Sequence, residues 1–489
     1  MTVELARAAG AVGGLGLALL LVGPGRPWRL VGLAAWAGGC AALAVWLEPE
    51  GSAVVYAGGA AAALFLAAAF LRWPWLLPIA VLGCVPVGIT VTVGTEEAEL
   101  PAPLYVVVGG AALALAWQLF WEIPKRTEPA GARWRRVLAG PRYELGALAW
   151  PLALLVAWLG LGLLWTPDER AGAMLLLFSV LPFGLLAASL ARLPWRDGWL
   201  ATLYGQLALM GLLFAGIAIR QYLTREVVAS PDAVAGEAPL PSSWFYRVDS
   251  VFDEPAAHGR FLVIAIVASL ALVVFGRRTA AWVALAAAAL TWVGLLPSFS
   301  QSSFVALGAG IVVALGARWS RRGVALLALA ALALAAAGLA APEVRDRLVG
   351  DPALSGAADD RAPLVGEGIR IALDHPATGV GTGGFRQAYA DRTGLDDAAQ
   401  APASETAPVT VAAESGLPGL VLLAWLAIAA LTVTLGRASG RDGTGLARLA
   451  FGLALLAILV HSLYANALFE DPLFWALLGL SAAAARKPA

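Results

Sequence analysis

The chain has 489 residues, of which 60% are hydrophobic and 13% charged, with a mean hydropathy of +0.78. Soluble domains carry about 25% charged residues, so this chain is too apolar to face water on all sides. Its 33 basic residues balance 33 acidic ones with no basic tail, which argues against a nucleic-acid binder, and its two cysteines, Cys40 and Cys84, lie in apolar stretches and provide no disulfide framework or metal cluster.

A membrane core is crossed by about 20 apolar residues. Stretches near that length recur at 5–23, 28–47, 53–71, 73–93, 104–121, 145–165, 171–191 and 199–219, then at 261–276, 279–297, 302–317, 323–341, 409–435, 446–466 and 472–485. The first has no convincing small-residue cleavage site before Arg26 and reads as a retained span rather than a signal peptide. Because 261–276, 302–317 and 472–485 are short, the expectation is an all-α polytopic transmembrane helical bundle of about 13–15 helices. The run Gly58-Gly59-Ala60-Ala61 fits either close helix contact or a lipid-facing surface of small residues.

Lysine and arginine give the orientation. About 21 of the 33 basic residues fall in one alternating set of short loops, including Arg26, Arg29, Lys125–Arg142, Arg192, Arg196, Arg318–Arg322 and Arg437–Arg448. The opposite short loops are acidic, with Glu48, Glu50, Glu96, Glu97, Glu99, Glu470 and Asp471; only Arg7 and Arg170 break the pattern. The basic side is expected to be cytoplasmic, together with the C-terminus. Two connections, 220–260 and 342–408, are too long to be turns, and both fall on the extracytoplasmic side, where loops of such length are usually functional. The organisation is therefore N-terminal spans 1–219, a long loop 220–260, central spans 261–341, a second long loop 342–408 carrying a short helix, and C-terminal spans 409–489.

Helix interiors hold few ionisable residues, which argues against an ion-coupled pump. His461 stands out, with Asn466 near the outer end of its helix. Arginines in or beside the long loops, among them Arg247, Arg260, Arg361, Arg370 and Arg386, sit amid an acidic surface. Guanidinium groups grip phosphate oxygens in a bidentate manner, so a converging set would suit a lipid-linked pyrophosphate; pairing with neighbouring acids is the alternative. The stretch from Asp374 to Phe385 reads DHPATGVGTGGF. It lacks the Lys-Ser/Thr of a phosphate loop, and what survives is a tight turn able to approach a ligand or another segment closely.

In this order the features resemble the O-antigen ligase and lipid-linked polysaccharide polymerase superfamily of membrane glycosyltransferases. The matching pieces are Phe245–Phe261, with Arg247 and Pro255 leading into a helix; Phe299-Ser-Gln-Ser-Ser-Phe304; Arg361 followed by His375-Pro-Ala-Thr-Gly-Val-Gly-Thr-Gly-Gly-Phe385; and Ala412-Ala-Glu-Ser-Gly-Leu-Pro-Gly419. The likeness covers roughly 240–475. It departs from the family at two points: Ser404-Glu405-Thr406 stands where a His-Asn pair is usual, and Gln301 stands where an arginine is common.

The resemblance implies transfer of a glycan from a polyprenyl-pyrophosphate carrier to an acceptor hydroxyl on a lipid or glycan, at the outer face of the cytoplasmic membrane. It implies no cofactor, metal or nucleic acid. The residues it points to are Glu405 as base, Arg247 and Arg361 in catalysis, Arg260 and Arg386 on the pyrophosphate, and His375, Gln301 and His461 in support. Ligase and polymerase share this donor. A transporter would need a polar path through the bundle, and a non-catalytic scaffold would fit the missing histidine.

Overall fold

The computed structural model describes residues 2–48, 53–93, 96–121, 144–225, 247–252, 254–318, 361–395, 398, 401, 404, 406–437 and 443–486. Its helices are α1 (Val3–Val22), α2 (Arg26–Leu47), α3 (Ala53–Arg72), α4 (Leu76–Cys84), α5 (Ala102–Trp121), α6 (Ala149–Gly162), α7 (Glu169–Ala191) and α8 (Gly198–Thr224). There follow α9 (Pro255–Phe275), α10 (Arg278–Leu295), α11 (Gln301–Arg318), α12 (Arg361–Asp374), α13 (Phe385–Thr393), α14 (Ala407–Thr434), α15 (Gly443–His461) and α16 (Pro472–Ala485). Among the described residues ten helices are long and apolar enough to span a membrane, and three shorter apolar ones accompany them. The chain is a multi-pass membrane protein built as a helical bundle. Large apolar side chains cover its outside, for example Phe65, Leu209 and Trp282, as a surface facing hydrocarbon requires. The expected span 323–341 lies outside the described residues.

One expected span takes a different form. The interval 73–93 contains α4 and then strand β1 (Ile89–Val93), paired antiparallel with β2 (Glu96–Leu100) from Ile89↔Leu100 to Val93↔Glu96. Pro86 and Gly88 stop the helix, and the β-branched run Ile-Thr-Val-Thr-Val favours a strand. Apolar content alone did not register this change of period.

Close helix contact is made by glycines other than those anticipated. Gly16 of α1 meets the backbone of α2 near Gly32, Gly13 meets Gly39, and Gly14 meets Gly160 of α6. A Cβ on Gly14 would come 2.8 Å from the Val156 carbonyl oxygen, and one on Gly39 2.6 Å from the Gly13 Cα. A Cβ on exposed Gly58 would meet nothing within 4 Å among the described residues outside its own helix, so its face of α3 is an outer surface, the second of the two readings.

α6 runs between two polar centres. At its start Glu144 accepts from Arg29 at 2.7 Å and from Arg192 at 2.8 Å. At its far end the Gly162 carbonyl accepts from Thr382 N of the glycine-rich turn. Arg7 at this end is paired with Glu169 at 2.6 Å, which neutralises one of the two arginines that broke the charge pattern. In α7, Pro182 supplies no N–H for the Phe178 carbonyl; the Tyr105 hydroxyl donates to that oxygen instead, at 2.7 Å. A π-helical turn over Leu176–Val180 lies just before the proline, and Phe178 and Ser179 in it border the cavity described next.

Candidate functional site

Two sequence motifs fold against each other to build the site. α14 is broken at Gly416, whose φ of +63° and ψ of −169° lie in a region that only glycine occupies at low cost. Pro418 lacks the N–H that would have served the Glu414 carbonyl. The freed carbonyls are taken up by the glycine-rich turn: Gly381 N donates to Glu414 O at 2.9 Å and Val380 N to Ala413 O at 2.9 Å. Trp158 Nε1 donates to Ser415 O at 2.8 Å. In return Leu417 N donates to Pro376 O at 2.9 Å. The two backbones lie so close that a Cβ at Gly379, where φ is +67°, would sit 2.2 Å from the Glu414 carbonyl carbon. That contact is the physical need behind the glycine of His375–Phe385, and it is a closeness of protein to protein.

The Glu414 side chain completes the junction. It accepts from Gly383 N at 3.0 Å and from Phe385 N at 3.3 Å, so a carboxylate faces the positive end of α13. The residue is 8% exposed.

Against this junction lies a cavity of about 880 Å³. Arg247, Gln301 and Arg386, three residues proposed from sequence, line it together. Arg247 arrives from the segment 247–252, fixed by Val248 N on Pro297 O at 3.0 Å and by Arg247 Nε on Ser298 O at 3.4 Å. Arg386 sits in the first turn of α13, is exposed, and has no ion-pair partner among the described residues. Gln301 opens α11 beside Ser300 and Ser302, which also line the wall.

The other proposed residues are distributed differently. His461 is 1% exposed and stands behind the wall, with its Nε2 2.9 Å from Ser302 Oγ. Ser302 in turn meets Ser300 Oγ at 3.0 Å, and Ser303 Oγ donates to Ser300 Oγ at 2.8 Å. His461 Nδ1 has no hydrogen-bond partner among the described residues. Arg260 Nε lies 3.1 Å from Asp471 Oδ2; the contact is ionic, and Asp471 Oδ1 caps α16 through Leu473 N at 2.9 Å. His375 lies across the glycine-rich turn in a separate outer groove. Arg361 begins α12, and its side chain, like the whole of Glu405, lies outside the described residues. Ser404, the neighbour of Glu405 in sequence, lines the cavity.

Sequence reasoning did not single out the acids of the cavity, Glu254, Glu414 and Glu470. A usable signal existed for Glu414. An acid followed by glycine at the second and proline at the fourth position after it marks a broken helix, and broken helices in membranes line cavities.

α12 and α13 hold each other through charge. Glu367 accepts from Arg370 at 3.0 Å and from Arg392, which also pairs with Asp374. The hydrogen bond from Arg392, with a second from Arg370, keeps the Glu367 carboxyl below the ordinary carboxylate range, and the Arg392 guanidinium is raised in turn. At the basic end, burial pushes the Glu144 carboxyl up, but Arg29 and Arg192 outweigh it and leave the group lowered.

Residues 286–424 match the family model for O-antigen ligase. Over that stretch, under a third of its length, the chain is similar to the O-antigen ligase family. The matched stretch runs from α10 into the second half of the broken α14, so it contains Phe299–Phe304, the glycine-rich turn and Glu414. Arg247 comes to its cavity, and His461 to the wall behind it, from outside the match. A search of curated proteins found no match.

Proposed function

We propose that this protein transfers a glycan from a polyprenyl-pyrophosphate carrier to an acceptor hydroxyl during cell-surface polysaccharide assembly, in the cytoplasmic membrane with its cavity facing outward. The observation that carries the reading is that two guanidinium groups, Arg247 and Arg386, separated by more than a hundred positions in sequence, border one cavity of about 880 Å³. Arginine forks suit the paired oxygens of a diphosphate, and held in advance they stabilise the charge that builds as it departs. Segregation of basic short loops to the opposite end supports the outward orientation.

In the transfer, the acceptor oxygen bonds to the anomeric carbon while the bond to the carrier phosphate breaks, its electron pair leaving with the pyrophosphate. The acceptor proton needs a base within hydrogen-bond reach. We assign that role to Glu405, since its neighbour Ser404 borders the cavity. Arg361, at the start of α12, is assigned a further contact to the donor phosphates. Gln301 is assigned to orient the donor, and His461 to hold Ser302 at the wall. The low dielectric of the surrounding helices makes each arginine's attraction for the pyrophosphate stronger than in water.

The test is reconstituted transfer from a polyprenyl-pyrophosphate glycan to lipid and glycan acceptors, which also separates ligation from polymerisation. Arg247→Ala and Arg386→Ala are expected to lower the rate by about 100-fold or more, as loss of a transition-state charge contact does, with membrane insertion intact. Wild-type rates in both variants would reject the pyrophosphate assignment. For Glu405→Gln a loss of similar size is expected; a normal rate removes the residue from the base role.

A further inference from the structure

Across the glycine-rich turn from the cavity lies an outer groove of about 660 Å³. The two spaces share one structural wall: Gly383 and Phe385 border the cavity, Gly379 and Val380 the groove. The groove is amphipathic. Its apolar side is the half-buried indole of Trp165, backed by Trp158 with ring centroids 5.8 Å apart, and the buried side chain of Ile371. Its rim carries His375, Thr378, Asp391 and Arg392, all exposed. Trp165 Nε1 has no hydrogen-bond partner among the described residues, and Asp391 accepts a single described bond, from Gln387 at 2.8 Å.

We infer that this groove is a carbohydrate subsite that binds a sugar unit of the glycan chain beyond the reacting one. The inference rests on the transferase reading above and adds a binding site to it. A pyranose ring has one face of C–H groups, which suits an indole, and an equator of hydroxyls, each both donor and acceptor. Asp391 offers acceptors, Arg392 donors, and His375 and Thr378 both. A free phosphate is a poorer occupant, because Arg392 already serves Glu367 and Asp374. A purely apolar ligand would leave four polar groups desolvated. The glycine-rich turn thus separates the space for the reacting sugar from the space for its chain, and α13 contributes Arg386 to the one and Asp391 to the other.

The test uses the full chain in nanodiscs and, as probe, the lipid-free oligosaccharide released by mild acid from the host's own polyprenyl-linked glycan. Wild type is expected to bind it, and Trp165→Ala to bind about tenfold more weakly, the loss expected for one aromatic contact. Trp165→Phe should recover part of that loss. His375→Ala and Asp391→Asn, at exposed positions that leave the fold intact, should each weaken binding about threefold, equivalent to a lost exposed hydrogen bond. The source of the sugar is read from kinetics. A raised KM for long-chain but not single-sugar donors identifies the donor's chain, whereas a raised KM for the acceptor alone identifies the acceptor's. No binding by wild type, or equal binding by wild type, Trp165→Ala and Asp391→Asn, overturns the subsite. Transfer without oligosaccharide binding overturns the subsite and leaves the transferase reading; binding without transfer does the reverse.

Discussion

Arg260 and Arg386 show how residues of one type separate once their surroundings are known. Both were candidates for phosphate from their position beside the long loops. Arg260 faces Asp471 at 3.1 Å, an ion pair that ties α9 to the start of α16, whereas Arg386 stands at the cavity with no ion-pair partner among the described residues. Glu414 makes the complementary point. A carboxylate accepting two backbone N–H groups cannot be replaced by an amide without turning one donor against another. Glu414→Gln is therefore expected to cost about 1–3 kcal/mol and to speed amide exchange over Gly383–Phe385 at neutral pH; unchanged exchange there would remove Glu414 from its pinning role. Arg247 and Arg386 could be proposed from sequence because a charge in or beside a long loop is visible as such, and Gln301 because of the place it takes in the family resemblance. Local spacing around Glu414 marks the broken helix, but its partners, amides 29 and 31 positions away, are encoded by neither hydropathy nor spacing. The Ser302–His461 contact joins residues 159 apart and was equally out of reach.

The elements around the site depend on breaks in regular structure that other segments repair. α14 tolerates Gly416 and Pro418 because the turn from Pro376 to Gly383 supplies and accepts the missing hydrogen bonds. Gly416→Ala would hold an alanine at a φ of +63° and bring its Cβ 2.8 Å from the Pro376 carbonyl oxygen. Backbone strain of this kind costs about 1–3 kcal/mol, so the variant should lower the thermal midpoint in detergent; an unaltered midpoint would show that the junction relaxes freely. α12 and α13 dock by another means, since neither is long and apolar enough to span. Glu367 titrates lower in the fold than unfolded. Its contribution is complete at neutral pH, begins to fall as pH drops below the unfolded carboxylate value, near 4.3, and is lost as pH passes through the lower folded value. Amide exchange in α13, corrected for intrinsic rates, should therefore rise on acidification from pH 6 to pH 4. Glu367→Gln should already show the faster exchange at pH 6 and respond less to acid. Exchange that is independent of pH in the parent protein would rule out Glu367 as the clasp.

At the scale of the molecule, hydropathy was sufficient to identify a helical membrane bundle, because burying backbone in hydrocarbon leaves few alternatives to the helix. It failed at 73–93, where length and apolarity matched a span but β-branched alternation and Pro86 produced α4 and a hairpin. Hydropathy does not contain the convergence of 247–252, the glycine-rich turn and the start of α11 on one cavity either. That convergence comes from contacts between remote segments, such as Gly259 against Ser303, Gly172 against Thr382 and Val248 N on Pro297 O. Polarity along the bundle follows more directly from charge. Glu144 with Arg29 and Arg192 occupies one end of α6, and the cavity lies beyond the other. From the basic-loop pattern we propose that the Glu144 end is cytoplasmic, and a single labelling experiment tests that. In a Cys40→Ala, Cys84→Ala background, a cysteine replacing exposed Thr393 at the end of α13 should react with a membrane-impermeant maleimide in intact cells. A cysteine replacing exposed Gly436, just after α14, should react only after permeabilisation. The reverse pattern would turn the cavity toward the cytoplasm, away from an outward-facing lipid-linked glycan, and the proposed donor would then have to be abandoned.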